Sequence, residues 1–320
     1  MKLAFILDHL DSIKIKKDSS FAMMREAAAR GHQLFVMQQE DIVWKYHQVV
    51  GFARHLELTG KTDHGYSWYQ TGDITEQPLQ AFDAVLMRKD PPFNMEYVYS
   101  TYLLELAETQ GAHIINGPRA VRDFNEKLSI AKFIQFIAPT LVTKQENLIR
   151  EFLGKHRDII LKPLDGMGGA GVFRVQSADH NINVILETLT HHGTRTIMAQ
   201  CFIPEISAGD KRIILIAGEA VPYSLARIPK LGEIRGNLAV GGTGIAQPLT
   251  KRDLEIAKVL GPTLFDQGLM LVGLDVIGDF LTEINVTSPT GMQEITQQTG
   301  FNVAEMMLNA LEKTVNDRSH

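Results

Sequence analysis

The chain has 320 residues, 44% hydrophobic and 22% charged, with 32 lysines and arginines against 37 aspartates and glutamates and a net charge of −5. That is globular composition, enough for two or three packed units, and without a basic block it argues against a nucleic-acid partner. The single cysteine, Cys201, excludes an internal disulfide framework. With an early acidic residue instead of a signal peptide and no apolar run of membrane-spanning length, a cytoplasmic protein with no membrane contact is expected.

In chain order the first third alternates strand and helix signals. Residues 3–7 read as a strand, 21–29 as a helix ended by Gly31, and 34–37 as a strand. The pattern repeats at 84–87, 97–109 (ended by Gly111) and 113–115. This rhythm predicts a doubly wound parallel sheet with ligands at the C-terminal ends of its strands. The aromatic and β-branched run 43–58 predicts an inserted hairpin. Two polar segments fall where such a sheet binds: DHLDSIKIKKDSS (8–20) and RKDPP (88–92). The paired prolines fix the direction of Arg88 and Lys89, toward a ligand or into solvent.

From about residue 118 the pattern changes. DFNE (123–126) predicts a capped helix running to about residue 136, with Lys127 in its first turn. A cation there is disfavoured by about 0.3–1 kcal/mol, so Lys127 calls for an anion: a ligand phosphate, Glu126 or Asp123. A strand (140–143), a helix (145–156), a glycine-rich hairpin, a helix (182–190) and a strand (196–202) follow. The last third predicts strands at 212–217 and 221–226, a long loop 228–247 and a helix 251–267. A hairpin 270–286 and closing helices 291–315 complete the chain.

The glycine-rich hairpin is IILKPLDGMGGAGVFRV (159–175). Gly166, Gly168 and Gly171 satisfy G-x-G-x-x-G, but a strand-like VFRV follows them instead of a helix, which rules out a dinucleotide-binding turn. No Gly-Lys-Ser/Thr follows either, which rules out a Walker A loop. A hairpin tip that offers bare N–H groups suits a polyphosphate, and Lys162 stands beside it.

The hairpin LVGLDVIGDFLTEINV (271–286) carries oxygen ligands on two strands. Glu283 and Asn285 share a face while Ile284 and Val286 point inward. A three-residue turn 278–280 puts Asp275 on that face too; a two-residue Gly-Asp turn puts it on the other. The three-residue turn is expected, because two carboxylates and an amide on one face make a site for Mg²⁺, which prefers oxygens and completes its shell with nucleotide phosphates. The loop IPKLGEIRGNLAVGGTGIAQ (228–247) is long enough for a lid, with glycine hinges and Arg235 placed to close on a substrate. No HExxH occurs, so a histidine-ligated metal is not expected.

Taken together, Lys127, Lys162 before a glycine hairpin, an Arg-bearing lid and Asp275…Glu283-x-Asn285 resemble the ATP-grasp superfamily. MRKDPPF (87–93), NEKL (125–128), ILKPLDGMGGAGVFRV (160–175), LARIP (225–229), RGNLAVGG (235–242), VGLDVIGDFLTEINVTSPTG (272–291) and IKKDSSFAM (15–23) are similar to the bacterial glutathione synthetase family within it. The resemblance implies an α/β, ATP-grasp fold behind an N-terminal substrate-binding, pre-ATP-grasp domain with a doubly wound parallel sheet. The domains would be 1–122, 123–204 (glycine hairpin) and 205–320 (lid and Mg²⁺ site).

It further implies ATP-dependent ligation of γ-glutamylcysteine with glycine to glutathione, through an acyl phosphate. Lys127 and Lys162 would hold the ATP phosphates under the N–H groups of Gly166, Met167, Gly168 and Gly169. Adenine would lie against 199–203, including Gln200 and Ile203, and Asp210 would hold the ribose. Asp275, Glu283 and Asn285 would carry two Mg²⁺ ions, with Mn²⁺ able to substitute. Arg212 and Arg227 would steady the transferring phosphoryl group; Asp18, Ser19 and Arg88 would take the dipeptide, and Ser288 and Thr290 the carboxyl end. A homotetramer is implied as well.

Two positions depart from the family pattern: Thr243 where the lid often has arginine, and Gln293 where an arginine often follows Pro289-Thr290. They bear on the hold on substrate carboxylates and on lid closure, not on the reaction class. Rival readings are a sister ligase for D-alanine or a protein C-terminus, a synapsin-like ATP-binding protein and a nicotinamide oxidoreductase. The N-terminal blocks oppose the first, the complete metal and basic set the second, and the failed glycine fingerprint the third.

Overall fold

The computed structural model describes residues 1–60, 67–230, 232, 233, 236 and 241–318. Its first sheet holds β1 (Lys2–Ile6), β2 (Gln33–Met37), β3 (Ile42–Lys45), β4 (Gln48–Leu58), β5 (Tyr69–Pro78), β6 (Ala84–Met87) and β7 (Ile114–Ile115), in the order β3-β4-β2-β1-β6-β7 with β5 on β4. Strands β2, β1, β6 and β7 are parallel; β3, β4 and β5 extend the edge antiparallel. The sheet is therefore mixed, and the expected hairpin 43–58 is the start of its antiparallel half. Beyond Lys2, β1 is buried on both faces: Leu3 and Phe5 join one core cluster, Ala4 and Ile6 the other. That two-sided burial is why it reads as an unbroken apolar run. Helices α1 (Ser19–Ala29) and α2 (Met95–Thr109) are capped by Asp18 and Asn94, whose side chains accept from Phe21 N and Tyr97 N.

The short α3 (Pro118–Asp123) leads into the second sheet: β8 (Thr140–Thr143), α4 (Glu146–His156), β9 (Asp158–Pro163), β10 (Phe173–Gln176), α5 (Ile182–Thr190) and β11 (Ile197–Cys201). Its antiparallel order is β10-β9-β11-β8. Alternation divides β9 cleanly. Ile159 and Leu161 pack under α4 and α5, which turns Ile160 and Lys162 to the opposite face.

The third sheet contains β12 (Asp210–Ile216), β13 (Glu219–Ile228), β14 (Thr243–Pro248), β15 (Leu271–Ile277) and β16 (Phe280–Asn285), in the order β14-β13-β12-β15-β16. Helices α6 (Lys251–Asp266), α7 (Met292–Thr299) and α8 (Val303–Arg318) cover it, and α7 and α8 also pack against α1.

Three expectations need correction. No helix runs from 123 to 136: α3 ends at Asp123, and residues 128–132 and 134–136 are short 3₁₀ turns. The Asn125 side chain accepts from Lys127 N and Leu128 N, a local alternative to helical pairing. Glu126 caps nothing; its carbonyl accepts from Ile284 N. Next, the lid segment is shorter than 228–247, because Thr243 to Pro248 pair with β13. Finally, the β15–β16 turn is the two-residue Gly278-Asp279, with Ile277 opposite Phe280. A bulge at Thr282 then shifts the register, so Asp275 still pairs with Glu283.

Candidate nucleotide and metal site

A cleft of about 820 Å³ opens between the second and third sheets. Lys162 and Ile160 enter it from β9, the glycine tip 166–170 overhangs it, and residues 200–203 form its inner wall. Asp210, Asp275 and Glu283 close it from the third sheet. Gly168 and Gly169 have φ of 63° and 81°, a backbone conformation other residues reach only at a cost, so the tip can turn its main chain toward the cleft.

Two buried lysines point into this space. Lys127 Nζ donates to the Gly166 carbonyl at 2.6 Å and lies 3.5 Å from Glu283 Oε1. Lys162 Nζ reaches the Thr282 carbonyl at 3.3 Å and forms no salt bridge among the described residues. Burial pushes its pKa down, while Glu283 pulls it back up. A desolvated ammonium without a bonded carboxylate is poised for an anionic ligand. Of the anions open to Lys127, the structure brings up Glu283 rather than Glu126 or Asp123.

Behind the lysines lies a buried ionic array. Arg212 grips Asp275 with two bonds, Nε to Oδ1 and Nη2 to Oδ2. Arg227 Nη2 joins Asp275 Oδ2 at 2.8 Å and Asp210 Oδ2 at 2.5 Å. Burial alone would raise the Asp275 pKa, but the two guanidiniums outweigh it and hold the carboxyl well below the usual range. Asp210 goes the other way. Burial raises its pKa, Asp275 and Glu283 add to that, and Arg227 only partly opposes them. Its Oδ1 is buried without a hydrogen-bond partner. An orphaned acceptor on the cleft wall suits a hydroxyl donor.

Asp275 and Glu283 stand opposite each other on β15 and β16, and Asn285 is opposite Gly273. Asn285 Nδ2 donates to the Gly273 carbonyl, which leaves its oxygen as the remaining acceptor of the amide. Among the described residues no cluster of three His, Cys, Asp or Glu could hold a metal alone. Two carboxylates and an amide fit a hard cation whose shell a nucleotide completes.

On the inner wall, Cys201 N donates to Pro139 O and Phe202 N to Asp158 O. The next main-chain N–H, that of buried Ile203, has no partner among the described residues. Gln200 is buried, and its amide donates to Thr140 Oγ1. Its side chain is thus committed to the sheet. Cys201 and Phe202, within the segment 199–203 expected against adenine, line the cleft, and so does Gly236, whose residue type did not signal it. Arg235 lies outside the described residues.

A second cluster adjoins the first where β6 ends. Arg88 is buried; its Nε donates to Ser20 Oγ at 3.0 Å and its Nη2 to the Pro289 carbonyl at 2.8 Å. Among the described residues it forms no salt bridge, though Asp18 and Asp90 act on it at longer range. Burial pushes the Asp18 pKa up, against its bond from Phe21 N. Ser19 Oγ accepts from Met292 N, and Gln293 Nε2 donates to the Ile15 and Asp18 carbonyls. Ser288 is half-buried and Thr290 exposed in the loop before α7. Arg212 Nη1 reaches the Thr290 carbonyl at 3.4 Å, so one guanidinium spans from the acid pair to this loop.

Prokaryotic glutathione synthetase, N-terminal domain, matches residues 1–122, and Prokaryotic glutathione synthetase, ATP-grasp domain, matches residues 126–300. The chain belongs to the prokaryotic glutathione synthetase family. It is 68% identical over 315 residues to the glutathione synthetase of Nitrosomonas europaea, covering 98% of each chain. To that of Ralstonia nicotianae it is 58% identical over 319 residues, covering 100% of this chain and 98% of the relative. The fold is shared with D-cycloserine synthetase DcsG, at a TM-score of 0.68 and 14% identity over 98% of this chain and 100% of that one. It is shared too with the ATP-grasp ligase PsnB complexed with minimal precursor, at 0.62 and 14% over 97% and 98%. The ATP-grasp expectation for the fold is met.

Proposed function

We propose that the chain ligates γ-L-glutamyl-L-cysteine to glycine at the expense of ATP, forming glutathione, ADP and phosphate. The observation that carries this reading is one cleft lined by two buried lysines, a glycine tip and an Asp275–Glu283 pair, with Arg212 reaching from that pair to the adjoining Arg88 cluster. Lys127, Lys162 and the N–H groups of Gly166, Met167, Gly168 and Gly169 take the ATP phosphates. The free N–H of Ile203, beside Gln200, reads the adenine edge, and the unpaired Asp210 oxygen receives a ribose hydroxyl.

Asp275, Glu283 and Asn285 would hold Mg²⁺, two ions in all, with Mn²⁺ able to replace them. When bound, the metal neutralises charge on the phosphates as transfer proceeds.

In the adjoining cluster Arg88, without an ion-pair partner among the described residues, binds a carboxylate of the dipeptide, flanked by Asp18 and Ser19, and Ser288 and Thr290 hold the carboxyl end. The cysteinyl carboxylate oxygen attacks the γ-phosphorus as the bond to ADP breaks, giving an acyl phosphate. The glycine amine then attacks the acyl carbon, loses a proton, and phosphate leaves. Arg212 and Arg227 hold the charge that develops in both steps, and Arg235 on the lid completes the enclosure against water. No enzyme nucleophile takes part; placement and charge do the chemistry.

The units 1–122, 123–204 and 205–320 follow the three sheets. A homotetramer in the cytoplasm completes the reading. An exposed apolar stripe on α2, at Met95, Tyr99, Tyr102 and Leu106, supports self-association, and the single free cysteine supports a reducing compartment. No described helix is long and apolar enough to cross a membrane. The test is ADP release from Mg–ATP and γ-glutamylcysteine, with and without glycine, with D-alanine and glutamate as controls. Glycine-dependent ADP matched one-to-one by glutathione is expected. ATP binding without turnover on any of these substrates would overturn the proposal.

A further inference from the structure

We propose that Glu126 is a positioning residue that fixes the register between the phosphate-binding lysine Lys127 and the metal-bearing strand β16. This rests on the reading above, in which Lys127, Glu283 and Asn285 meet Mg–ATP. Lys127 is on no strand of the third sheet; it follows the break after α3 and opens a 3₁₀ turn. Nothing in the regular ladder would hold it beside Glu283.

Glu126 supplies that hold twice. Its carbonyl accepts from Ile284 N at 2.8 Å, between the two metal-site residues of β16. Its Oε1 then accepts three bonds just past the strand: from Val286 N at 2.9 Å, Thr287 N at 3.1 Å and Thr287 Oγ1 at 2.8 Å. Successive N–H groups at a strand end form a concavity that takes an oxygen acceptor, and here the acceptor is part of the chain. The main-chain bond fixes the height of Lys127 along β16, and the carboxylate bonds fix its rotation. With both in place, Lys127 Nζ sits 3.5 Å from Glu283 Oε1. The same carboxylate also anchors the start of the loop whose Pro289 and Thr290 carbonyls accept from Arg88 and Arg212. Glu126 touches neither the cleft lysine positions nor the acid pair directly through its carboxylate, so it acts through its neighbours.

The experiment compares Glu126→Ala, Glu126→Gln and Thr287→Val with the intact enzyme. The readouts are the Mg²⁺ concentration for half-maximal ligation at saturating ATP, and the thermal midpoint. Glu126→Ala should raise that Mg²⁺ concentration at least ten-fold at temperatures well below its own melting. Glu126→Gln keeps an oxygen at the same place for the same donors and should stay within three-fold of wild type. Thr287→Val removes one donor and should shift it about three-fold or more. A role confined to folding would lower the thermal midpoint of Glu126→Ala and leave its Mg²⁺ dependence within two-fold, which would overturn the proposal. If Glu126→Ala fails to fold, Thr287→Val decides: an unchanged Mg²⁺ dependence overturns it. Loss of the parent reading looks different, since the wild-type enzyme itself would then show no glycine-dependent turnover.

Discussion

Arg212 and Arg88 carry the site's contrasting electrostatics. Arg212 spends two bonds on Asp275 and a third on Thr290 O, whereas Arg88 is as deeply buried with neutral oxygens as its bonded partners. Burying a cation without a bonded carboxylate is costly, and a substrate carboxylate would relieve that cost. Arg88→Met should therefore raise KM for γ-glutamylcysteine at least ten-fold and leave KM for ATP within three-fold; equal changes in both would place Arg88 outside the dipeptide site. Arg212→Lys keeps the charge but loses the two-pronged geometry. Its kcat should fall about 10²–10³-fold, the ~2.7–4 kcal/mol typical of removing one such donor. Steady-state kinetics on the folded variant checks this. That these residues would share one region was implied by the family resemblance of the motifs that carry them. Their partners were not: that Arg227 would pair with both Asp210 and Asp275 depends on three strands lying side by side, which no local pattern encodes.

Among the elements, the β15–β16 hairpin shows why a correct inference can rest on the wrong detail. Asp275 meets Glu283 only if one extra residue enters the second strand. A three-residue turn and a two-residue turn followed by a bulge both supply it, and sequence does not say where the extra residue sits. The segment after α3 misled for a related reason. DFNE has the letters of a capping box, but Asn125 bonds ahead to Lys127 N and Leu128 N, and Glu126 is drawn to β16 by tertiary contact.

Helix α6 offers a signed test. Gly261 lies in its interior, where alanine normally gains about 0.5–1 kcal/mol. A Cβ there would collide with the Gly218 carbonyl oxygen, part of the turn between β12 and β13. Gly261→Ala should thus destabilise by about 1–3 kcal/mol, the usual cost of overpacking, seen as a lowered urea midpoint. A gain would contradict this packing.

In α2, burial and then the nearby Glu105 push the Glu108 pKa from an ordinary 4.5 up to about 7, against Arg318 and Arg122. Between those values the unfolded chain ionises while the folded one keeps its proton. Stability from this group is full below pH 4.5 and is lost as pH rises through 7. Half-buried, it should account for about 1–2 kcal/mol after solvent screening. Glu108→Gln should accordingly gain on wild type by that amount at pH 8.5 relative to pH 5, measured by urea unfolding.

For the whole molecule, the three sheets divide the labour. The second overhangs the cleft with Lys162 and the glycine tip, and the third supplies the acids and arginines. The first ends at Arg88, whose bond to Pro289 O joins it to the third. The order of strands along the chain was largely legible, since each run carries its own periodicity. The antiparallel extension of the first sheet beyond its hairpin was not, because β5 is mostly exposed and lacks an apolar face. Nor was the contact between sheets, which joins residues about two hundred positions apart and leaves no mark on local sequence.

In the proposed reaction the site activates a carboxylate with ATP before an amine displaces phosphate. That order of steps is tested most directly by labelling both oxygens of the cysteinyl carboxylate with ¹⁸O and following the label through one complete turnover. One ¹⁸O should appear in the inorganic phosphate and the other remain in the new peptide carbonyl of glutathione, with the transfer dependent on ATP. If the released phosphate carried no ¹⁸O while glutathione formed, the carboxylate oxygen would never have bonded to the γ-phosphorus, and the proposed roles of Arg212 and Arg227 would fall with it.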